Sequence, residues 1–147
     1  MADEQFEQEY SEGKQDAGEK QSAQAAALEL EHAIGYSGRV YDALVYHPNG
    51  TDFVYPAGGC LVVCDFNDPH NQVFLRGHDE NLSCLAISPS GRIAATGQKG
   101  LNADIVVWSY GEGNDKAALY RFSEHDHGIA CVGFSQDERL LVTCGVD

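Results

Sequence analysis

Residues Phe74–Trp108 read FLRGHDENLSCLAISPSGRIAATGQKGLNADIVVW, and this stretch decides the fold. It carries Gly77-His78 near its start. An apolar run, Leu82–Ile87, leads into the turn Ser88-Pro89-Ser90-Gly91. A second run, Arg92–Thr96, ends at Gly97, and a third, Ile105–Val107, ends at Trp108. Such short apolar runs, each bounded by turn residues, read as strands, because a helix needs a longer window with a 3.6-residue period. Ser at i, Pro at i+1 and Gly at i+3 are the residues of a type I turn. The stretch therefore predicts three antiparallel strands behind a long leading loop that carries Gly-His.

The same layout recurs along the chain. His47-Pro48-Asn49-Gly50 precedes Ser88-Pro89-Ser90-Gly91 by 41 residues, and His78 precedes His125 by 47. The longer offset also carries Cys84 onto Cys131, Arg92 onto Arg139, Ile93 onto Leu140 and Thr96 onto Thr143. The extra residues fall around Gln98–Ala103 and Gly111–Asp115, both loop stretches where insertions are tolerated. A period in this range, made of short strands, is the signature of a β-propeller blade.

Gly77-His78, Thr96-Gly97 and Ile105-Val106-Val107-Trp108 look like a WD repeat, which contributes four strands to each blade of a propeller. Within that class the chain resembles the cilia- and flagella-associated protein 52 family. The resemblance rests on Leu28-Glu29-Leu30-Glu31-His32-Ala33-Ile34-Gly35, on Leu82-Ser83-Cys84-Leu85-Ala86-Ile87-Ser88, and on the longer loop ending Ala103-Asp104-Ile105-Val106-Val107-Trp108. It covers the chain from about Leu28 onward.

The expected fold is all-β: about two and a half four-stranded antiparallel blades opening a WD-repeat propeller, behind an acidic disordered tail. The tail is 1–27, rich in Glu, Gln, Ser, Gly and Ala, with Phe6 and Tyr10 its only aromatics; such a composition buries too little apolar surface to offset the entropy of ordering. Leu28–Ile34 alternates and reads as a half-exposed strand with Leu28, Leu30, His32 and Ile34 on one side. The resemblance implies that 28–34 is either a lead-in or the strand that closes the last blade. Blade 1 is expected over 35–76, with Val40–Tyr46 its inner strand and Asp52–Pro56, Cys60–Asp65 and Gln72–Leu75 following. It is degenerate: Tyr36-Ser37-Gly38 stands at the Gly-His position and Cys64-Asp65 at the Trp-Asp position. Blade 2 is expected over 77–122 and a partial blade 3 over 123–147. Its third strand would end beyond Asp147, so the chain is expected to be the front part of a longer protein.

The formal net charge is −14 at pH 7. Phosphate binding needs clustered Lys and Arg, so nucleic acid and anionic membrane surfaces are poor partners. No stretch approaches the apolar length of a membrane span, and the first residues lack the basic flank and apolar core of a signal peptide. A soluble intracellular protein is the expectation, and its five cysteines are then expected to be reduced. Cys60 and Cys64, if on one strand, lie about 13 Å apart at roughly 3.3 Å per residue, too far for a disulfide or a shared metal. Cys84 and Cys131 share a repeat position with Ala43, which reads as a small apolar side chain on the innermost strand.

The resemblance also implies a hydrogen-bonded set. WD repeats join a His in the leading loop, a Ser or Thr on the second strand, an Asp in the next turn and a Trp on the third strand; here His78, Thr96, Asp104 and Trp108 occupy those places. The usual Asp lies six residues before the Trp, whereas Asp104 lies four before Trp108. That spacing leaves open whether Asp104 faces His78 or away from it. Nothing adjacent would activate Thr96 as a nucleophile, so no catalytic residue is assigned. His125-Asp126-His127 is a weak metal-ligand set, and the repeat position of His125 already accounts for it. No glycine-rich phosphate loop is present, and no cofactor or small-molecule substrate is expected.

Function follows from the resemblance alone. It implies a structural component of the ciliary or flagellar axoneme, a microtubule inner protein lying inside the doublet microtubule against tubulin and other axonemal proteins. The alternative is a soluble cytosolic WD adaptor that assembles complexes or presents substrates to a ubiquitin ligase.

Overall fold

The computed structural model describes residues 29–36, 38–111 and 116–146. The acidic tail at 1–27, Leu28 and Ser37 lie outside them.

Among the described residues, ten strands form three antiparallel sheets. The first sheet pairs β1 (Val45–Tyr46), β2 (Asp52–Ala57), β3 (Cys60–Asp65) and β4 (Gln72–Arg76) in chain order. The second pairs β5 (Leu82–Ile87), β6 (Ile93–Gln98), β7 (Ala103–Tyr110) and β8 (Lys116–His125) in the same way. The third is the hairpin β9 (Ile129–Phe134) and β10 (Leu141–Gly145). The chain is thus all-β, as its short apolar runs require.

The turn between the first two strands of each sheet is built alike. Gly50 donates to the His47 carbonyl at 3.1 Å, Gly91 to Ser88 at 2.8 Å and Glu138 to Ser135 at 2.9 Å. The last residue of each turn is left-handed, with φ of 79° at Gly50, 76° at Gly91 and 57° at Glu138. Glycine adopts that conformation freely, whereas Glu138 is strained there. The Glu138 side chain compensates. Its carboxylate accepts hydrogen bonds from the Ser90 backbone N–H and hydroxyl, joining the third sheet to the second.

Alternation along the strands gives each of the first two sheets two apolar faces. Val54, Leu61, Val63 and Leu75 of the first sheet pack on Leu82, Ala94, Val106, Trp108 and Tyr110 of the second. Cys84, Ala103 and Ile105 of the second receive Ile129 of the third. On the opposite side of the first sheet, Tyr55, Val62 and Cys64 form a smaller cluster with Ala33 and Phe74.

Three readings of the sequence need correction. The inner strand expected over Val40–Tyr46 is only Val45–Tyr46; residues 38–42 turn instead, and Asp42 is left-handed at φ 51°. A positive φ at a non-glycine residue breaks the extended run that a ladder needs. The lead-in is not a strand, and its apolar parity is reversed. Leu30 and Ile34 are exposed, while Ala33, of the other parity, packs against the first sheet. Ala33 is held by backbone chemistry: its N–H donates to Gln72 Oε1 at 2.8 Å, and Tyr55 Oη donates to its carbonyl at 3.2 Å. Finally, β8 continues to His125, past the division placed at 122/123.

Candidate functional site

Gly77 and His78 follow β4 and lead into β5, while Thr96 lies on β6 and Trp108 on β7. Strands β6 and β7 are neighbours, and Thr96 and Trp108 both point toward the first sheet, so their polar atoms meet in a buried layer. The Trp108 indole N–H donates to Thr96 Oγ1 at 2.7 Å. His78 Nε2 lies 2.7 Å from the same oxygen, and His78 Nδ1 lies 2.8 Å from Gln98 Oε1. A carbonyl oxygen only accepts, so Nδ1 carries the proton and Nε2 accepts from the Thr96 hydroxyl. The result is one directional chain: Trp108 to Thr96, Thr96 to His78, His78 to Gln98. The imidazole must be neutral to serve in it. Burial lowers the His78 pKa below its ordinary value, and the nearby Arg121 charge adds to that, in keeping with a neutral ring.

Gly77 matters because of the same tryptophan. A Cβ there would lie 2.9 Å from the Trp108 ring carbon Cη2. Glycine lets the loop pass under the indole edge and delivers His78 to Thr96.

Asp104 is elsewhere. It is buried, and its carboxylate accepts from Arg121 and from the Ser123 hydroxyl, both on β8. The β7–β8 register shifts between Ala103 and Ile105, so Asp104 sits in a bulge, the device by which a strand re-aims a side chain. Both His78 nitrogens are taken by Thr96 and Gln98. The connection between Asp104 and His78 is indirect: Arg121 also donates to the carbonyl of Gly77. Burial would raise the Asp104 pKa, but hydrogen bonds from Ser123 and Arg121 and the Arg121 charge outweigh it and hold the carboxyl below its usual range.

Of the four residues expected to act together, His78, Thr96 and Trp108 are joined and Asp104 is not. Gln98 takes the free end of the chain. Its signal was present in the sequence, because residues 96 and 98 of one strand share a face.

A second polar contact was not anticipated. His47 is buried and stacks on Tyr110, with ring centroids 3.8 Å apart and planes 14° apart. Its Nε2 donates to the Gly91 carbonyl at 2.8 Å, while its Nδ1 accepts from Asn49 N–H at 3.1 Å. Tyr110 in turn donates to Asp52 Oδ2 at 2.8 Å. Burial, then that hydrogen bond to the Asp52 carboxylate, pushes the Tyr110 phenol far above its ordinary pKa. The residue that opens the first sheet's turn thereby binds the turn of the second.

The third sheet begins the pattern of the second again: His125 Nε2 lies 3.0 Å from Thr143 Oγ1. Among the described residues no buried side-chain nitrogen or oxygen lacks a partner, and no group of three His, Cys, Asp or Glu is placed to hold a metal. No described helix is long and apolar enough to cross a membrane.

The WD domain, G-beta repeat, matches residues 69–109 and 116–147. With the repeated sheets and the His–Thr–Trp chain, this shows that the chain carries WD repeats. Within that class it resembles the cilia- and flagella-associated protein 52 family. It is 39% identical over 124 residues to the Chlamydomonas reinhardtii member, covering 82% of this chain and 20% of that protein. Against the Homo sapiens member it is 40% identical over 126 residues, covering 84% of this chain and 20% of the relative. WD repeat-containing protein 90 of Mus musculus is more distant, 30% identical over 122 residues, covering 80% of this chain and 6% of that protein. The chain spans about a fifth of the length of the curated relatives named for cilia and flagella.

Proposed function

We propose that this chain is part of a structural scaffold of the ciliary or flagellar axoneme, built from blades of a WD-repeat propeller and lying against the inner wall of doublet microtubules. The observation that carries the reading is its identity to cilia- and flagella-associated protein 52 over more than four fifths of its length. The chemistry of the buried polar groups supports a scaffold over an enzyme. His78 spends both ring nitrogens on Thr96 and Gln98, and Thr96 is fully buried, so neither is free to act on a substrate.

Charge narrows the partner. The chain carries −14 at neutral pH, the wrong sign for the acidic outer surface and tails of a microtubule. A luminal position, held by shape-matched loops and neighbouring axonemal proteins, avoids that repulsion.

The test is extraction of axonemes from ciliated cells. The protein is expected to stay with the doublets through detergent and a salt wash, and to bind singlet microtubules weakly. Release by detergent alone would favour the soluble adaptor, and tight, salt-sensitive binding to the outside of singlets would overturn the luminal position.

A further inference from the structure

We propose that Ser90 is a phosphorylation site, and that a phosphoryl group on it opens the joint between the second and third sheets. The turn between β5 and β6 is the middle of a relay. Its Gly91 carbonyl accepts from His47 of the first sheet's turn. Its Ser90 N–H and hydroxyl donate to the Glu138 carboxylate of the third sheet's turn, the hydroxyl to Oε2 at 2.9 Å. Each turn of this second joint is flanked by both of its strands, so the contact lies wholly within the described residues. Glu138 has φ 57° where the other two turns have glycine. A strained backbone offset by a side-chain contact points to a use for that contact.

The hydroxyl of Ser90 is accessible. Of the serines between Gly77 and Arg92, Ser88 is buried, and Ser83 is half-buried with its hydroxyl bonded to the Gly97 and Ile129 carbonyls; Ser90 is exposed. A cation already stands at its oxygen. Arg92 Nε donates to Ser90 Oγ at 3.2 Å, and the Arg92 backbone N–H donates to it at 3.3 Å. A guanidinium so placed receives phosphate through charge-assisted hydrogen bonds. The turn also accommodates an anion at this position. The third turn residue is Asn49 in the first sheet, Ser90 in the second and Asp137 in the third. Asp137 Oδ1 accepts from the Arg139 N–H at 3.2 Å, as Ser90 Oγ accepts from that of Arg92. A phosphorylated Ser90 repeats, with more charge, what the third turn already holds.

The contact that phosphate cannot keep is Glu138. The phosphoryl group carries about −1.5 to −2 at neutral pH and replaces the proton that Ser90 donates. It meets a carboxylate oxygen 2.9 Å from Ser90 Oγ, and it competes for Arg92, whose guanidinium lies 3.8 Å from Glu138 Oε2. Loss of the donor, like-charge repulsion and diversion of the cation all release the third turn, while the His47 bond to Gly91 is untouched. The donor is ATP and the catalyst a serine/threonine protein kinase. Ser90 Oγ bonds to the γ-phosphorus, the bond from that phosphorus to the ADP oxygen breaks, and the hydroxyl proton passes to the kinase's base.

Two measurements test this. In protein isolated from its own cells with phosphatase inhibitors present, trypsin releases Gly77–Arg92 as one peptide, and fragmentation on either side of Pro89 separates Ser88 from Ser90. Phosphate on Ser90 is expected; none there, or phosphate confined to Ser83 or Ser88, would overturn the proposal. The second is amide hydrogen exchange at Ser135 and Leu140 in the 147-residue chain with phosphoserine incorporated at position 90. Exchange is expected to be about tenfold faster than in the unmodified chain. Glu138→Gly, which relieves the left-handed strain and removes the carboxylate, should exchange fast from the outset and gain nothing further from the phosphate. Equal exchange with and without phosphate, or an undiminished response in Glu138→Gly, would show that the phosphate does not act through this joint.

Discussion

The first two sheets share a strand plan, but they solve one problem differently. In the second, the segment leading into the innermost strand is pinned: Gly77 passes beneath Trp108 and His78 bonds Thr96 and Gln98. In the first, Cys64 stands at the tryptophan position and residues 38–42 turn on the surface, with Tyr41 93% exposed. The innermost strands differ accordingly. Strand β5 runs Leu82–Ile87, whereas β1 is reduced to Val45–Tyr46. The polar chain is therefore not what makes a sheet, since the first sheet exists without it. It anchors the leading loop and so sets how far the innermost strand extends.

The largest test of that contrast removes the pillar in each sheet. Trp108→Ala is expected to cost about 3–5 kcal/mol of stability, and Cys64→Ala about 1 kcal/mol, because the indole fills far more of the core and its loss strands the Thr96 hydroxyl. Urea unfolding of the two variants side by side checks this. Equal midpoints would mean that the two sheets are held alike.

A smaller effect separates the two leading loops. Gly77→Ala places a methyl group 2.9 Å from a rigid indole carbon, whereas Gly38 has nothing within 4 Å of an added Cβ. The first substitution is expected to cost about 2 kcal/mol through overpacking, and Gly38→Ala to be near neutral. Comparable unfolding midpoints for the two would remove the argument that the indole fixes the loop.

His78 adds a pH dependence of its own. Burial, aided by Arg121, lowers its pKa in the folded chain below the ordinary value of 6.5. As pH falls below that value the unfolded chain takes up a proton that the folded chain refuses. Stability from this residue is thus complete above about 6.5 and declines toward the lowered folded pKa. His78→Gln is expected to cost about 1–2 kcal/mol at neutral pH and to flatten the decline that begins as pH falls below about 6.5. Unfolding midpoints measured through that window in both proteins decide it; parallel curves would contradict a neutral buried imidazole.

Much of this contrast was legible in the sequence, for definite reasons. His78, Thr96 and Trp108 were singled out through the resemblance to WD repeats, which implies a polar set at those places. The equivalence of the Pro48 and Pro89 turns was readable from spacing alone. The misreadings have a common cause. Strand parity for 28–34 came from alternation of apolar residues, but Ala33 is held through its backbone, by Gln72 and Tyr55, and a backbone contact leaves no trace in hydropathy. The inner strand at Val40–Tyr46 looked apolar enough, yet its run is broken at Asp42 by a left-handed residue. His47 passed as a turn residue because its partners, Gly91 and Tyr110, belong to the next repeat.

Asp104 is the residue on which spacing and structure part company, and it carries the smallest expected effect. Were it a member of the polar chain, removing it would disturb His78, and the two substitutions would not add. The bulge between Ala103 and Ile105 instead hands its carboxylate to Arg121 and Ser123. Arg121 is 46% exposed in its side chain, so solvent screens the pair and can resolvate the guanidinium when Asp104 is lost. Asp104→Asn keeps the Ser123 hydrogen bond possible and removes only the charge, so it is expected to cost no more than about 1 kcal/mol. In a double-mutant cycle with His78→Gln the coupling should be below about 0.5 kcal/mol, the scale of independent sites, whereas Trp108→Phe paired with His78→Gln should couple by more, because both bond Thr96 Oγ1. Coupling of Asp104 to His78 as strong as that of Trp108 would restore the four-residue set and show that Arg121 and the Gly77 carbonyl transmit what direct contact does not.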